Sequence, residues 1–275
     1  MQYQGHLKKM AVTVEGQSAR YALRLDEQQI SLVDAIGKHI TISFLDEIHC
    51  QACGRKSKKS FSQGFCYPCF KRLPQCDTCI MSPEKCHYEK GTCRDAKWGE
   101  EFCMQDHIVY LANSSGIKVG ITRHSQIPTR WLDQGARQAL PIARVASRHL
   151  SGLLEVIIKQ HVADKTNWRA LLKQDTALID LAAKRDELFE MCHEEIEELQ
   201  GYYGLQAVQL LYDGEEQQFE YPVTEYPTKV TSLNLDKTPQ VSGKLMGIKG
   251  QYLILDTGVI NLRKYTSYLV SVDIE

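Results

Sequence analysis

Residues 107–122 read HIVYLANSSGIKVGIT, and the reading of this stretch decides the fold. Two runs rich in β-branched residues flank an Asn-Ser-Ser-Gly turn, the pattern of two hairpin strands. Downstream, IPTRWLDQGARQAL (127–140) suits a short helix and PIARVAS (141–147) a third strand. SGLLEVIIKQHVAD (151–164) then sets Leu153, Leu154, Ile157, Ile158 and Val162 on one helical face. Residues 176–200 read as a further amphipathic helix with an acidic outer face, ending before Gly201.

Upstream of the hairpin, residues 50–106 hold nine of the ten cysteines and few large aliphatics, so a bound metal has to organise them. CQAC (50–53) and CYPC (66–69) form the first constellation. Each Cys-x-x-Cys turn presents two thiolates on one side of a tight loop, and two turns complete a tetrahedron around a borderline-soft ion such as zinc. Cys50, Cys53, Cys66 and Cys69 are therefore the expected ligands of one structural Zn2+. A redox pair is the rival for either turn alone, and the doubling argues against it. The intervening loop carries Arg55, Lys56, Lys58 and Lys59, Lys71 and Arg72 follow, and no acidic residue interrupts 50–72. That loop suits phosphate contact; it equally suits a solvated loop that keeps a small module soluble. CDTC (76–79) opens a second cluster, followed by Cys86, Cys93 and Cys103. Its expected ligands are Cys76, Cys79 and Cys93 with Cys86 or Cys103 as the fourth; zinc is preferred and an iron–sulfur cluster is the alternative. Cys192 shares a helical face with Leu188 and Ile196 and reads as a core thiol.

Outward again, residues 1–49 alternate in short runs (AVTV, ISLV, HITISF) and residues 201–275 are strand-rich, so two β-rich regions flank the centre. These two regions can pair into one β module. The domain expectation is 1–49 β-rich, 50–106 metal-binding, 107–200 the hairpin unit with its helices, and 201–275 β-rich, an α+β chain overall. A net charge of −1 over 275 residues excludes a global nucleic-acid signature, so charge has to be read locally. The opening MQYQGHLKKMAVTVEG lacks a secretory pattern, and no apolar run is long enough for a membrane helix. With ten cysteines and no export signal, the expected address is the cytoplasm.

Residues 107–175 resemble the GIY-YIG endonuclease domain, a ββαβα unit. Its first motif has its counterpart in Ile108-Val109-Tyr110, its second in Lys118-Val119-Gly120, its helix arginine in Arg130 and its metal-binding glutamate in Glu155. The run from Glu155 through Ile158–His161 and Asn167 to Leu171–Asp175 is similar to the metal-binding region of the nuclease subunit of bacterial nucleotide-excision repair. The whole chain also resembles an uncharacterised bacterial zinc-ribbon family that carries this domain and has no assigned activity. Ile108 stands where the motif opens with Gly, and Lys118 where it has Tyr, so catalysis is less firmly implied than fold.

The resemblance implies catalytic roles for Tyr110, Lys118, Arg130, Glu155 and Asn167. Glu155 would hold Mg2+ or Mn2+, Arg130 would bind phosphate, Tyr110 would activate water, and Lys118 would lower the phenol's pKa or bind phosphate. Each has a plainer reading: Tyr110 packs on its sheet, Arg130 pairs with Asp133, Lys118 faces solvent from its strand, Glu155 is a solvated helix carboxylate, and Asn167 caps the next helix. Three functions compete: an endonuclease acting on DNA, or RNA, with the zinc modules gripping the backbone; an inactive domain binding nucleic acid or protein; and a redox or metal sensor built on the second cysteine cluster.

Overall fold

A computed structural model describes residues 1–162 and 166–275. The chain is mixed α+β. From the N-terminus come β1 (Gln2–His6), β2 (Ala11–Glu15), β3 (Ser18–Leu25), β4 (Gln28–Ser31) and β5 (His39–Ile48). The cysteine-rich segment holds only short helices: α1 (Tyr67–Arg72), α2 (Thr78–Met81) and α3 (Ala96–Phe102). Then follow β6 (His107–Asn113), β7 (Ile117–Arg123), α4 (Thr129–Asp133), β8 (Gln138–Val145), α5 (Arg148–Ile158), α6 (Trp168–Leu171), α7 (Leu181–Met191) and α8 (His193–Tyr203). The chain ends with β9 (Val208–Leu210), β10 (Gln217–Gln218), β11 (Gln240–Lys249), β12 (Tyr252–Leu255), β13 (Gly258–Asn261) and β14 (Tyr268–Ile274).

The two ends of the sequence build one antiparallel sheet in the order β1-β14-β5-β11-β12-β13. Strands β2, β3 and β4 form a small sheet beside it. The central sheet runs β10-β8-β6-β7, with β9 also paired to β8. Its alternation is the ordinary strand period of two. Ile108, Tyr110 and Ala112 pack on the terminal β regions, with Leu7, Leu25, Trp131 and Phe219 in the same core. Val109, Leu111, Val119 and Ile121 face the opposite way, onto Leu150, Leu154 and Ile158 of α5 and Leu188, Cys192 and Ile196 of α7 and α8. Burying each of the Val, Leu, Ile and Phe side chains among these contributes ~1.5–3 kcal/mol of transfer free energy. Among the described residues no helix is long and apolar enough to cross a membrane.

Three sequence expectations need adjustment. The helix of 127–140 is one turn long: it stops at Gly135, whose φ of +68° ends it, and Gln138–Leu140 already belong to β8. Residues 176–180 are not helical. The buried side chains of Asn113 and Gln138 take their backbone instead, through Asn113 Nδ2 to Ala177 O (2.9 Å) and Ile179 N to Gln138 Oε1 (3.0 Å). The helix beyond divides at Cys192, although Ile196 N still donates to Cys192 O (3.0 Å), and it passes Gly201 to end at Gly204 with φ +94°. The helix of 151–164 ends at Ile158, and residues 163–164 lie outside the described residues.

Candidate functional site

The first cysteine constellation is closed. Cys50 follows β5, and its carbonyl accepts Gly54 N (2.8 Å) across a turn that Gly54 completes with φ +68°. Cys66 is the N-cap of α1 and Cys69 lies in that helix's first turn, so the second thiol pair is set by helical geometry. Ligand atoms of Cys50, Cys53, Cys66 and Cys69 all fall within 4.8 Å of one another. The Cys53 and Cys66 sulfurs are 3.7 Å apart. A tetrahedron built on Zn–S bonds of ~2.3 Å has edges of ~3.8 Å, so the four thiols fit a zinc ion. Burial works against the Cys50 thiolate, but amide hydrogen bonds from Cys66, Ala52 and Cys53 outweigh it and bring its pKa down to about 6. Burial and the three neighbouring thiols push Cys69 up to about 12, the conflict expected of four crowded thiols that a cation resolves.

Cys76 does not join the second cluster. It packs with Cys50, Phe65, Cys66 and Cys69 in the core of the first. The Pro74–Cys76 turn, closed by Cys76 N to Leu73 O (3.1 Å), carries it back toward α1. Cys79, Cys86, Cys93 and Cys103 instead line a separate small cavity.

In the hairpin, Tyr110 pairs directly across the ladder with Gly120. Gly120 is required there: a Cβ on it would lie 2.7 Å from the Tyr110 hydroxyl and 2.8 Å from Cζ. The ring crosses the glycine and ends at Gln134, whose Oε1 accepts the phenol proton at 3.2 Å. Trp131 closes the other side, with ring centroids 5.8 Å apart. Burial raises the Tyr110 pKa; the Arg130 guanidinium opposes this by its charge and a hydrogen bond, and the Glu155 carboxylate adds to it. Tyr110 from β6, Arg130 from α4 and Glu155 from α5 thus come within one electrostatic neighbourhood. The Tyr110 phenol has 0% exposure, and its hydroxyl is turned to Gln134 and Arg130 and away from solvent.

The other expected residues take plainer places. Lys118 is not solvent-facing: it is buried, and its Nζ donates to Thr166 Oγ1 at 2.8 Å. It stands opposite Ala112, on the same sheet face as Tyr110 but two ladder steps toward the turn. Asn167 caps α6, its Oδ1 accepting Ala170 N at 3.2 Å. Asp133 is engaged by Lys9 (2.5 Å) and Gln251 (2.9 Å), which tie α4 to the terminal β regions.

Two arginines that the sequence reading passed over join the site. Arg148 opens α5 and lies in electrostatic range of Arg130 and Arg123. Arg263, from the turn before β14, lies in range of Arg130, and its Nε donates to Gln63 Oε1 of the zinc loop at 2.5 Å. No local signal marks Arg263, because its neighbours are 130 and more positions away in sequence. Beside it, Lys264 shares a cleft of about 960 Å3 with Lys56, Lys58 and Lys59 of the zinc loop.

No curated protein and no solved structure matches this chain. A family model does match, over residues 37–270, which takes in most of the terminal sheet, both cysteine clusters and the hairpin unit. The chain belongs to that family, the DUF2797 family, described as a protein of unknown function.

Proposed function

We propose that the chain is a metal-dependent endonuclease that hydrolyses phosphodiester bonds in DNA, or RNA, with the zinc loop holding the nucleic-acid backbone. The observation that carries this reading is the convergence of Tyr110 of β6, Arg130 of α4 and Glu155 of α5 in one electrostatic neighbourhood. The element order β6, β7, α4, β8, α5 is the ββαβα order that the GIY-YIG resemblance implies and adds support. Arg130 presents a planar fork to a phosphate, and Arg148 and Arg263 add positive charge around it. Glu155 is the residue to hold Mg2+ or Mn2+. A single carboxylate suits such an ion, which would supply Lewis-acid polarisation of a phosphoryl oxygen when bound. Tyr110 keeps the arginine aimed. The cleft lined by Lys56, Lys58, Lys59 and Lys264 also holds Asp46 and Asp236, and Lys264 pairs with Asp236 and Lys56 with Glu47, so Lys58 and Lys59 supply the positive charge with which it would receive the strand.

The test is cleavage of branched, flapped and plain DNA by zinc-loaded protein with Mg2+ or Mn2+, beside Glu155→Gln. Nicking that is lost in the variant, with its circular dichroism unchanged, is the expected result; nicking that persists removes the assignment. A second reading, recognition without cleavage, is favoured by the burial of Tyr110 and Lys118, which leaves no exposed general base on the hairpin. It predicts salt-dependent retention of DNA and no product with either ion.

A further inference from the structure

We propose that Cys79, Cys86, Cys93 and Cys103 hold a second zinc ion as a four-thiolate centre, and that this centre fixes the position of the helix carrying Glu155. The centre does not depend on whether the chain cleaves nucleic acid; only the importance of that helix rests on the preceding reading.

The four thiols line one cavity of about 10 Å3. That is near the smallest space that admits a single water, and it suits a bare ion. Cys86, Cys93 and Cys103 each fall within electrostatic range of Cys79; their sulfurs are spaced more widely than the 4.8 Å within which the first four thiols gather, so a bound ion would draw them inward around the cavity. The surrounding segment has no sheet among its described residues and contributes few buried apolar side chains, so packing alone does not account for its order. A second ligand set is conceivable, because ligand atoms of Asp77, Cys79 and His87 lie within 4.8 Å of one another. Asp77, however, already accepts Arg94 Nε (2.8 Å) and Thr78 N (2.6 Å). The His87 ring is held between Thr92 Oγ1 (2.8 Å) and Asp77 (3.4 Å). Both are committed elsewhere, and thiolate is the better ligand for zinc in a closed structural site.

Arg148 supplies the independent sign that something anionic belongs here. It lies in electrostatic range of Cys79 and Cys103, and its buried Nε has no hydrogen-bond partner. Among the described ion pairs no carboxylate reaches it. Zinc bound by four thiolates carries a net double negative charge, the counter-charge that suits a half-buried guanidinium whose Nε is cut off from water.

Through Arg148 the centre reaches the helix. Arg148 N donates to Cys103 O (2.8 Å), and its Nη2 donates to Ile80 O (2.6 Å). One turn on, Gly152 packs directly on the Pro83 turn, where a Cβ would lie 2.6 Å from Pro83 Cβ. Glu155 follows three residues later, on the next turn of α5. The loop that the four thiols close is therefore the bed on which the first half of α5 lies.

Inductively coupled plasma mass spectrometry of the purified full chain should find two zinc ions per chain. Cys86→Ser and Cys103→Ser should each reduce this to one, while Cys76→Ser and His87→Ala should keep both. Should the serine variants fail to fold, pulsed alkylation of the zinc-loaded natural chain gives the same answer: Cys79, Cys86, Cys93 and Cys103 resist together and react together once a chelator is added. One zinc in the natural chain, iron with sulfide, loss of a metal from Cys76→Ser or His87→Ala, or free reaction of Cys86 or Cys93 would each overturn the centre. Hydrogen exchange reads the second half of the proposal. Amides of 148–158 should exchange at least about tenfold faster in Cys86→Ser while those of β12 stay unchanged, a loss of local protection of ~1.4 kcal/mol. Unchanged protection of 148–158 would overturn the coupling to the helix.

Discussion

Gly120→Ala tests the geometry that joins the two hairpin motifs. The added Cβ would approach the Tyr110 hydroxyl to 2.7 Å, Cζ to 2.8 Å and Cε2 to 3.1 Å. The ring has nowhere to retreat, since it is fully buried and Trp131 packs against it. Overpacking of this kind costs ~1–3 kcal/mol. If the ring is forced away from Gln134, the buried hydroxyl loses its acceptor, which adds ~1–3 kcal/mol. The expected destabilisation is therefore ~1–3 kcal/mol if the hydroxyl keeps Gln134 and ~2–6 kcal/mol if it does not. Urea unfolding at fixed excess zinc, followed by tryptophan fluorescence, measures it. Tyr110→Leu removes the far end of the ring, so the double variant should be more stable than the sum of the single effects by over ~1 kcal/mol. A cost for Gly120→Ala below ~0.5 kcal/mol, or additivity within ~0.5 kcal/mol, would refute the ring-over-glycine arrangement.

Acid should act through His107. Burial brings its pKa from 6.5 to about 4, and its Nε2 has no hydrogen-bond partner. The folded state holds the imidazole neutral, so between these two values the unfolded chain binds the extra proton and stability falls as pH falls. The full penalty is ~3 kcal/mol below the folded pKa. His107→Gln should lack this component, so its stability relative to the natural chain should rise from pH 6.5 to pH 4; parallel profiles would contradict the assignment. On the zinc loop, Glu47 holds Lys56 at 3.0 Å, whereas Lys58 and Lys59 carry no ion pair among those described. Lys58→Ala with Lys59→Ala should lower the slope of log affinity against log salt for duplex DNA by about 2, and an unchanged slope would remove the loop from the binding surface.

What was legible in the sequence is what short-range pattern encodes. The alternation of HIVYLAN and IKVGITR about NSSG specifies the hairpin and both of its faces. The two Cys-x-x-Cys turns specify the first metal site, because each pair is set by a single local turn. Legibility fails where a distant side chain decides. Thr176–Ile179 have the pattern to join the following helix, but Asn113 and Gln138, from two strands of the central sheet, claim their backbone. The fate of Lys118 depends on Thr166 across the site, and that of Cys76 on a proline turn that reverses the chain. Arg263 is the extreme case, a turn residue of the C-terminal region that reaches Gln63 and the neighbourhood of Arg130.

The joints between these parts are bonded through buried charge, and this bears on how the site works. The Lys249 ammonium of β11 is fully buried, 3.5 Å from Asp175 and over the rings of Tyr221 and Tyr226. Burial depresses its pKa, and Asp175 opposes that shift. Asp133, at the end of the arginine helix, is held by Lys9 and Gln251 from the terminal β regions. In each joint one member is buried (Lys249, Asp133) and its partner is partly exposed, so removing the partner leaves a buried charge without its counter-charge, at a cost below the ~3–5 kcal/mol of a fully buried pair. Arg130 and Arg263 therefore keep their separation without a closing motion, and the zinc loop is tied to the same frame through Gln63. Under the proposed function, a surface assembled in advance from three distant stretches of sequence would select a phosphate path by fixed shape. On that view the flanking β regions serve to hold Arg263 opposite Arg130, and disrupting the Lys249–Asp175 joint should weaken nucleic-acid binding without touching any residue that contacts the strand.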